Sequence, residues 1–449
     1  MSDRKNIYGP FNWELSNGDK VRGKLYAYNP AYKKESVIFK YGDLLNRAIR
    51  FKQGNSEIEV EIRFAIYKMA KKVYIGYVPG SVSYGWVGGT EKYGAFKEDE
   101  KVKSEKLIYS VFKAAEAGIK VEFVYHNPDD NGADDEIGKY LKEQLEGNTV
   151  ASANLTYRKV SWPAGDTTGQ QHNKFMTLSH IKADSDDGDA LTSANGTPYY
   201  RNAVYVSTAN VDKFGTEEDD WYKPDSSHRM FQNGATIYGH SALYQRYNTY
   251  FGLVCENYNN QTNFWNAVTA SHCAKELNWI PTDANDPCEA YFFPIPNRIA
   301  NAWDAEFNPL VKYVNKLIES SNGYLKINVY HLKTDAFGDK LIDILNDANL
   351  DNLNIKSVFK KNSAGDGKAV FPKYNGQNFG ASTHAKNYMF ALSDIRQYYS
   401  MIGSANAKAD AFNSKANNIL VFCERPAKGR AHPVYDVFKQ PMFEDAYDS

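Results

Sequence analysis

The sequence has no run of eighteen apolar residues, so none of its segments reads as a membrane-crossing helix. Its start, Met1-Ser-Asp-Arg-Lys5, lacks the apolar stretch of a secretory leader. A cytoplasmic protein and a secreted one without an evident signal peptide are therefore both open. Cysteine is scarce: Cys255, Cys273, Cys288 and Cys423 show no CxxC spacing, which speaks against zinc and thioredoxin-like sites. Cys273 and Cys288 bracket a polar stretch, where a disulfide and two buried thiols are equally open readings. An excess of charge is missing as well. Lys plus Arg number 53 against 54 Asp plus Glu, a net charge of -1, and a general binder of nucleic acid would be basic. A local phosphate site needs only two or three well-placed cations. The acidic stretches Asp184 to Asp189 and Glu217 to Asp220 lack EF-hand spacing. No metal ligand set and no cofactor is implied.

What the chain does have is an internal repeat. Val60 to Lys72 carries apolar residues at helical spacing and is followed by a strand-like run, Val73 to Val78. A helical stretch, Glu105 to Gly118, and a strand, Ile119 to Tyr125, come next. The same order returns in Phe307 to Ser320 (helix), Leu325 to Tyr330 (strand), Lys340 to Ala348 (helix) and Ile355 to Phe359 (strand). Thr236 to Tyr247 matches Leu420 to Phe438 as strand then helix. Such alternation predicts an α/β fold of two fused lobes, each a mixed or parallel β-sheet flanked by helices. The predicted division is an N-terminal extension over 1–55 made of short strands and turns, a first lobe over 56–280, a linker over 281–297 and a second lobe over 298–449. Asn17-Gly18 is a hairpin signal within the extension.

Two motifs carry chemistry. The first is Gln171-His172-Asn-Lys174 and the second Thr383-His384-Ala-Lys386, each entering an apolar, strand-like run. Side chains at i and i+2 of a strand point the same way, so each His and Lys can meet one phosphate. Each motif is followed by a strand ending in small residues, Ser207-Thr-Ala-Asn210 and Gly403-Ser404-Ala-Asn406. Ser and Asn can hydrogen-bond phosphate oxygens without adding charge. Two lysines would neutralise a phosphodiester, one imidazole would attack phosphorus and the other would move the proton of the leaving oxygen. In that scheme the cations come from protein and no metal is required. A single His-x-Lys is worth little; two at matched places in a repeat are not coincidence. The remaining histidines (His126, His180, His228, His272, His331) have the ordinary reading of surface or core residues, and His240 and His432 that of helix caps.

The paired motifs resemble the phospholipase D superfamily over roughly Val60 to Phe438. That family's mark is His-x-Lys repeated in two halves, and Gly403-Ser404-Ala-Asn406 is the most typical piece. Most members carry an Asp five residues after the Lys, where this chain has Ser179 and Ala391; the tyrosyl-DNA phosphodiesterases lack it too. The resemblance implies a bilobal fold with the site between lobes. It implies catalysis by His172, Lys174, Asn210, His384, Lys386 and Asn406, with His172 as nucleophile. Ser207, Ser404, Gln232 and Asn417 are expected as substrate-side residues, the last two as orienters of a histidine. The expected partner is a phosphodiester substrate, with phospholipid favoured over nucleic acid. Tyr84, Trp86, Tyr93, Trp162 and Tyr199 suit peripheral membrane contact, though packing is their ordinary role. The rival reading is a nuclease or DNA-end-processing enzyme, with a basic loop at Lys360, Lys361, Lys368 and Lys373. A catalytically silent binding protein on the same fold is the third.

Overall fold

The computed structural model describes residues 7–28, 37–69, 107–128, 135–163, 169–184, 189–211, 231–296, 302–320, 322–332, 335–347, 353–359, 378–380 and 383–444. The strand expected over 73–78, the three ring-bearing residues 84, 86 and 93, His228, and the four lysines of the basic loop lie outside these residues.

The chain opens with the expected hairpin. Strands β1 (Ile7–Glu14) and β2 (Lys20–Tyr28) are antiparallel, and Gly18 turns the chain with φ +86° while its N–H reaches the Leu15 carbonyl at 2.8 Å. The rest of the first sheet comprises β3 (Glu61–Ile66), β4 (Lys120–Tyr125), β5 (Leu155–Lys159), β6 (Lys174–Lys182), β7 (Leu191–Thr192), β8 (Pro198–Ser207) and β9 (Gln232–Tyr238). Their order is β1-β2-β9-β8-β6-β3-β4-β5, with β7 paired to β8. The helices of this half are α1 (Val37–Gly54), α2 (Leu107–Glu116), α3 (Glu136–Leu145), α4 (Thr149–Asn154), α5 (Ser241–Glu256) and α6 (Gln261–Cys273).

The second sheet comprises β10 (Cys288–Phe292), β11 (Gly323–Val329), β12 (Leu353–Phe359), β13 (Asn378–Gly380), β14 (Lys386–Leu392), β15 (Gln397–Gly403) and β16 (Asn418–Glu424), in the order β10-β16-β15-β14-β11-β12-β13. Its helices are α7 (Pro309–Glu319), α8 (Ala336–Asp347), α9 (Ala409–Asn413) and α10 (Pro433–Lys439). Helix α7 shows how directly sequence sets an element. Asn308 caps it through a 3.1 Å bond to the Leu310 N–H, Pro309 fills the first turn, and Leu310, Val311, Val314 and Leu317 form its buried face.

Strand for strand, β2-β9-β8-β6-β3-β4-β5 of the first sheet matches the whole of the second, including the parallel trio at one end. The α/β, two-lobed fold with two mixed sheets flanked by helices is thus present. Its cores lie in three layers. One backs the first sheet, with Ile62, Phe64 and Ile66 against α1 and α2. One backs the second sheet, with Leu325 and Ile327 against α7 and α8. The third is shared: Phe175, Val204 and Val206 meet Met389, Ile402 and Leu420, together with α5 and α10.

The repeat begins earlier than the sequence suggested. Residues 61–66, expected as part of a helix, form β3, and the helix that corresponds to α7 is α1 at 37–54. The cause is two-sided burial. Ile62, Phe64 and Ile66 face one core and Ala65 the other, and a strand apolar on both faces has no period-two signature to separate it from a helix. The segment 1–55 therefore holds an 18-residue helix rather than only strands and turns, and β2 and α1 are repeat elements with counterparts β10 and α7. Likewise residues 281–297 contain β10, which pairs with β16. All four cysteines are free thiols, so no disulfide joins exposed Cys273 to buried Cys288. Trp162 and Tyr199 are buried, Trp162 on Phe264 with centroids 4.6 Å apart, and so are core residues rather than membrane contacts. Among the described residues no helix is long and apolar enough to cross a membrane.

Candidate functional site

Each His-Lys motif enters its sheet at the same register. Lys174 stands opposite Ile66 where β6 pairs with β3, and Lys386 stands opposite Val329 where β14 pairs with β11. In both motifs the lysine folds back onto its own histidine. Lys174 Nζ donates to the His172 carbonyl at 2.9 Å, and Lys386 Nζ to the His384 carbonyl at 2.8 Å. An aromatic ring follows each central strand and covers the pair. Tyr67 lies 4.6 Å from the His172 ring with Lys174 over its face, and Tyr330 lies 5.0 Å from the His384 ring with Lys386 over its face.

The two motifs are tied crosswise. The His172 N–H donates to the Ala416 carbonyl at 2.8 Å, and the His384 N–H donates to the Phe231 carbonyl at 2.9 Å. Parallel bridges Gln171–Ala416 and Thr383–Phe231 frame these bonds. Asn418 Nδ2 adds a further cross-tie to Asn173 Oδ1 at 2.9 Å. Each histidine is therefore held by backbone that leads into a strand of the other sheet, β16 for His172 and β9 for His384. Charge crosses in the same way. Burial is the first cause that holds the His172 imidazole well below its ordinary pKa, followed by Lys174, Lys415 and Lys386, with the Asn417 bond opposing. For His384 the causes are burial, then Lys386 and Lys174, with the Thr208 carbonyl opposing and His331 adding to the depression. Lys386 is itself held well below the usual lysine range, first by burial and then by Lys408. A lysine of each motif thus acts on the histidine of the other.

Both rings engage the opposite half through the same nitrogen, Nδ1. His172 Nδ1 is 2.9 Å from Asn417 Oδ1, and the Asn417 amide is oriented by its Nδ2 donating to the Ala411 carbonyl at 2.8 Å. His384 Nδ1 is 2.9 Å from the Thr208 carbonyl. Asn417 Oδ1 accepts, so His172 Nδ1 carries the proton and its Nε2 keeps its lone pair, while His384 Nδ1 stands between the Thr208 carbonyl and Lys386 Nζ, which is 3.2 Å away.

The remaining expected residues separate into two groups. Asn406 is buried beside the site, its Oδ1 accepting the His331 N–H at 3.3 Å, and Asn210 occupies the matching place ahead of the Met69–Val211 bridge, as Asn406 does ahead of Leu332–Ala407. Ser404 and Ser207 are fully buried. Ser404 Oγ accepts the Asn418 N–H at 3.1 Å. Ser207 is not its counterpart. Thr208 is, because Thr208 and Asn233 exchange the same pair of bonds that Ser404 and Asn418 do. Ser207 Oγ instead accepts the Ala209 N–H at 2.9 Å and is buried away from that exchange. Gly403 matches Ser207 in register, and a Cβ there would stand 2.1 Å from the Asn418 carbonyl, which is why this half requires glycine. Gln232 matches Asn417 but makes no hydrogen bond to the His384 ring among the described residues, and its Oε1 has no hydrogen-bond partner there. His240 caps α5 through Leu243 N–H, as expected.

Sequence reasoning missed Tyr67, Tyr330, Thr208 and His331. A signal existed. Ile66-Tyr67-Lys68 and Val329-Tyr330-His331 are aromatic-basic pairs that end matched central strands, visible only once β3 is aligned with β11.

No family model matches the chain, and neither does any curated relative. Among solved structures, a phosphatidylserine synthase from Haemophilus influenzae aligns with 97% of this chain and 88% of its own, at 10% identity and a TM-score of 0.51. A polyphosphate kinase from Porphyromonas gingivalis aligns over 94% of this chain, at 12% identity and a TM-score of 0.47, and the chain spans only 50% of that protein's length. Yeast tyrosyl-DNA phosphodiesterase aligns over 82% and 85%, at 9% identity and a TM-score of 0.37. The chain has the phospholipase D fold.

Proposed function

We propose that this chain is a phosphodiesterase of the phospholipase D type, acting by hydrolysis or by transfer to an alcohol through a phosphohistidine. The observation that carries this reading is the crosswise tie: the His172 and His384 backbones each bond to the opposite half, and each motif's lysine acts on the other's imidazole. One anionic phosphodiester bound there meets Lys174 and Lys386, with Asn210 and Asn406 as directed donors. The Nε2 of His172 attacks phosphorus and forms an N–P bond as the P–O bond to the leaving group breaks. His384, protonated at Nε2 once the bound anion offsets the neighbouring lysines, gives that proton to the leaving oxygen. In the second half His384 takes a proton from water or an alcohol, whose oxygen attacks phosphorus and releases His172. Asn417 holds His172 in the nucleophilic tautomer. No step calls on a metal, because protein cations meet the developing charge.

Phospholipid remains the first substrate class by overall neutrality, with nucleic acid the second. Turnover of bis-p-nitrophenyl phosphate, phospholipid vesicles and oligonucleotides in excess chelator tests the reading, with acid quenching to trap a phosphoenzyme. The expected result is chelator-resistant turnover of at least one class and an acid-labile phosphate on His172. No turnover of any class, with ligand affinity unchanged in His172→Ala, would leave a silent binding protein instead.

A further inference from the structure

Strand β3 ends at Ile66, yet Tyr67 and Met69 beyond it are buried and belong to the first half of the site. Tyr67 puts its ring 4.6 Å from that of His172, with Lys174 over its face. The Lys68 carbonyl accepts the Val211 N–H at 2.9 Å, and Met69 bridges to Val211, the residue after Asn210. The ladder between β3 and β4 stops at Ile66, so the backbone of Met69, only 2% exposed, needs another partner. One side chain supplies it. Asn127 Oδ1 accepts the Met69 N–H at 2.7 Å, and Asn127 Nδ2 donates to the Met69 carbonyl at 2.8 Å. An Asn amide has the donor and the acceptor of a peptide group, so it continues the pairing where no strand remains. The N–H groups of His126 and Asn127 both donate to the Tyr67 carbonyl, at 3.2 and 3.0 Å. Asn127 reaches this place through a left-handed turn, φ +44°, a conformation that Asn and Gly adopt at least cost.

We propose that Asn127 is a positioning residue of the first half of the site: its amide clamps Met69, and so sets the Tyr67 ring against His172 and Lys174 and fixes the strand end that carries Asn210. The catalytic effect of the clamp rests on the phosphodiesterase reading; the placement of the ring does not. Residues 126 and 127 hold the segment 67–69 at both of its ends. The Tyr67 carbonyl is held by their N–H groups, the Met69 backbone by the Asn127 amide, and the Tyr67 ring also meets the His126 ring edge-on at 5.9 Å. Without the amide, a buried donor and a buried acceptor lose their partners, and the segment has to move to find others. Tyr67 moves with it, and the imidazole expected to attack phosphorus loses its cover and its support. A misplacement of about 1 Å at a reacting group can cost on the order of a hundredfold in rate.

The test uses the full chain and Asn127→Gly, which accepts the left-handed turn and removes only the clamp. With bis-p-nitrophenyl phosphate as substrate, kcat/KM is expected to fall about tenfold, the scale of two neutral hydrogen bonds. Tyr67→Leu is expected to cost at least as much. The double variant should lose no more than about twofold beyond Tyr67→Leu alone, because both substitutions act through one ring. Losses that multiply would give Asn127 a structural role with no link to the ring and overturn the proposal. A second readout needs no turnover, since the Tyr67 ring current acts on the ring protons of His172. Their NMR resonances are expected to move in Asn127→Gly toward their positions in Tyr67→Leu, while those of His384 stay. Unmoved His172 resonances overturn the proposal. Moved resonances in a protein whose wild type cleaves no phosphodiester would count against the phosphodiesterase reading and for the clamp. If Asn127→Gly does not fold, amide exchange in the wild type decides. The Met69 N–H is expected to be as protected as that of Phe64 within β3, and fast exchange overturns the clamp.

Discussion

The two halves share a backbone plan and differ in the atoms that use it. In the second half Asn417 gives an amide oxygen to His172, while its counterpart in the first half, Gln232, leaves His384 to a backbone carbonyl at Thr208. Asn418 ties to Asn173, but the first half's match for Asn418 is Asn233 and the second motif carries Ala385 where the first carries Asn173; Asn233 Nδ2 is without a partner among the described residues. Duplication therefore copied the strand order and the crosswise backbone bonds, and the side chains then diverged. Two imidazoles in unequal settings suit unequal roles. The His172 ring is held by a side chain that can itself be mutated, the His384 ring by backbone that cannot.

The largest effect that would sharpen this contrast comes from the histidines. His172→Ala and His384→Ala should each lower kcat by on the order of 10³-fold or more, and only His172→Ala should leave no trappable phosphoenzyme. Full activity in His384→Ala would break the assignment. Next come the orienters. Asn417→Ala should cost about tenfold in kcat/KM through loss of the Nδ1 hydrogen bond, and Gln232→Ala no more than about twofold. Equal losses would mean that the halves are not asymmetric in the way described.

The pH profile gives a third and smaller effect. Burial and the lysines lower both imidazoles below 6.5 in the empty site, so kcat/KM should be greatest on the acid side of pH 6.5. The kcat optimum should lie higher, since the bound phosphate favours the protonated ring. A kcat/KM optimum above pH 7 would contradict the electrostatic description. The least effect is on stability and lies away from the site. His180 and His272 are pushed down to about 4, in both cases first by burial. The unfolded chain binds these protons more readily than the folded one, so stability is full above pH 6.5 and declines as pH falls from there towards 4. Thermal melts of His272→Gln should show a shallower decline across that window than the wild type.

Much of this was legible in the sequence, for identifiable reasons. His172, Lys174, His384 and Lys386 could be found because strand pairing fixes i and i+2 spacing, and a duplicated motif repeats its signal. Helix α7 and strand β11 could be found because one is apolar on one face and the other is bounded by polar turns. Strand β3 could not be separated from a helix because both its faces are buried, and that single misreading hid α1, Tyr67 and Tyr330 together. Thr208 was hidden for a different reason. Ser207 next to it looks chemically like Ser404, and only the bonds to Asn233 reveal which of the two residues is in register. Lys408 and Lys415 were illegible because what joins them is Asp410, a contact made by the path of the loop rather than by any spacing in the chain.

The crosswise backbone bonds at Ala416 and Phe231 carry a mechanical consequence. A hinge between the halves would have to break the two backbone bonds that hold the His172 and His384 motifs, so any wide opening by that route would also separate the paired motifs. On the proposed reading, a substrate reaches the two motifs while the sheets stay clasped.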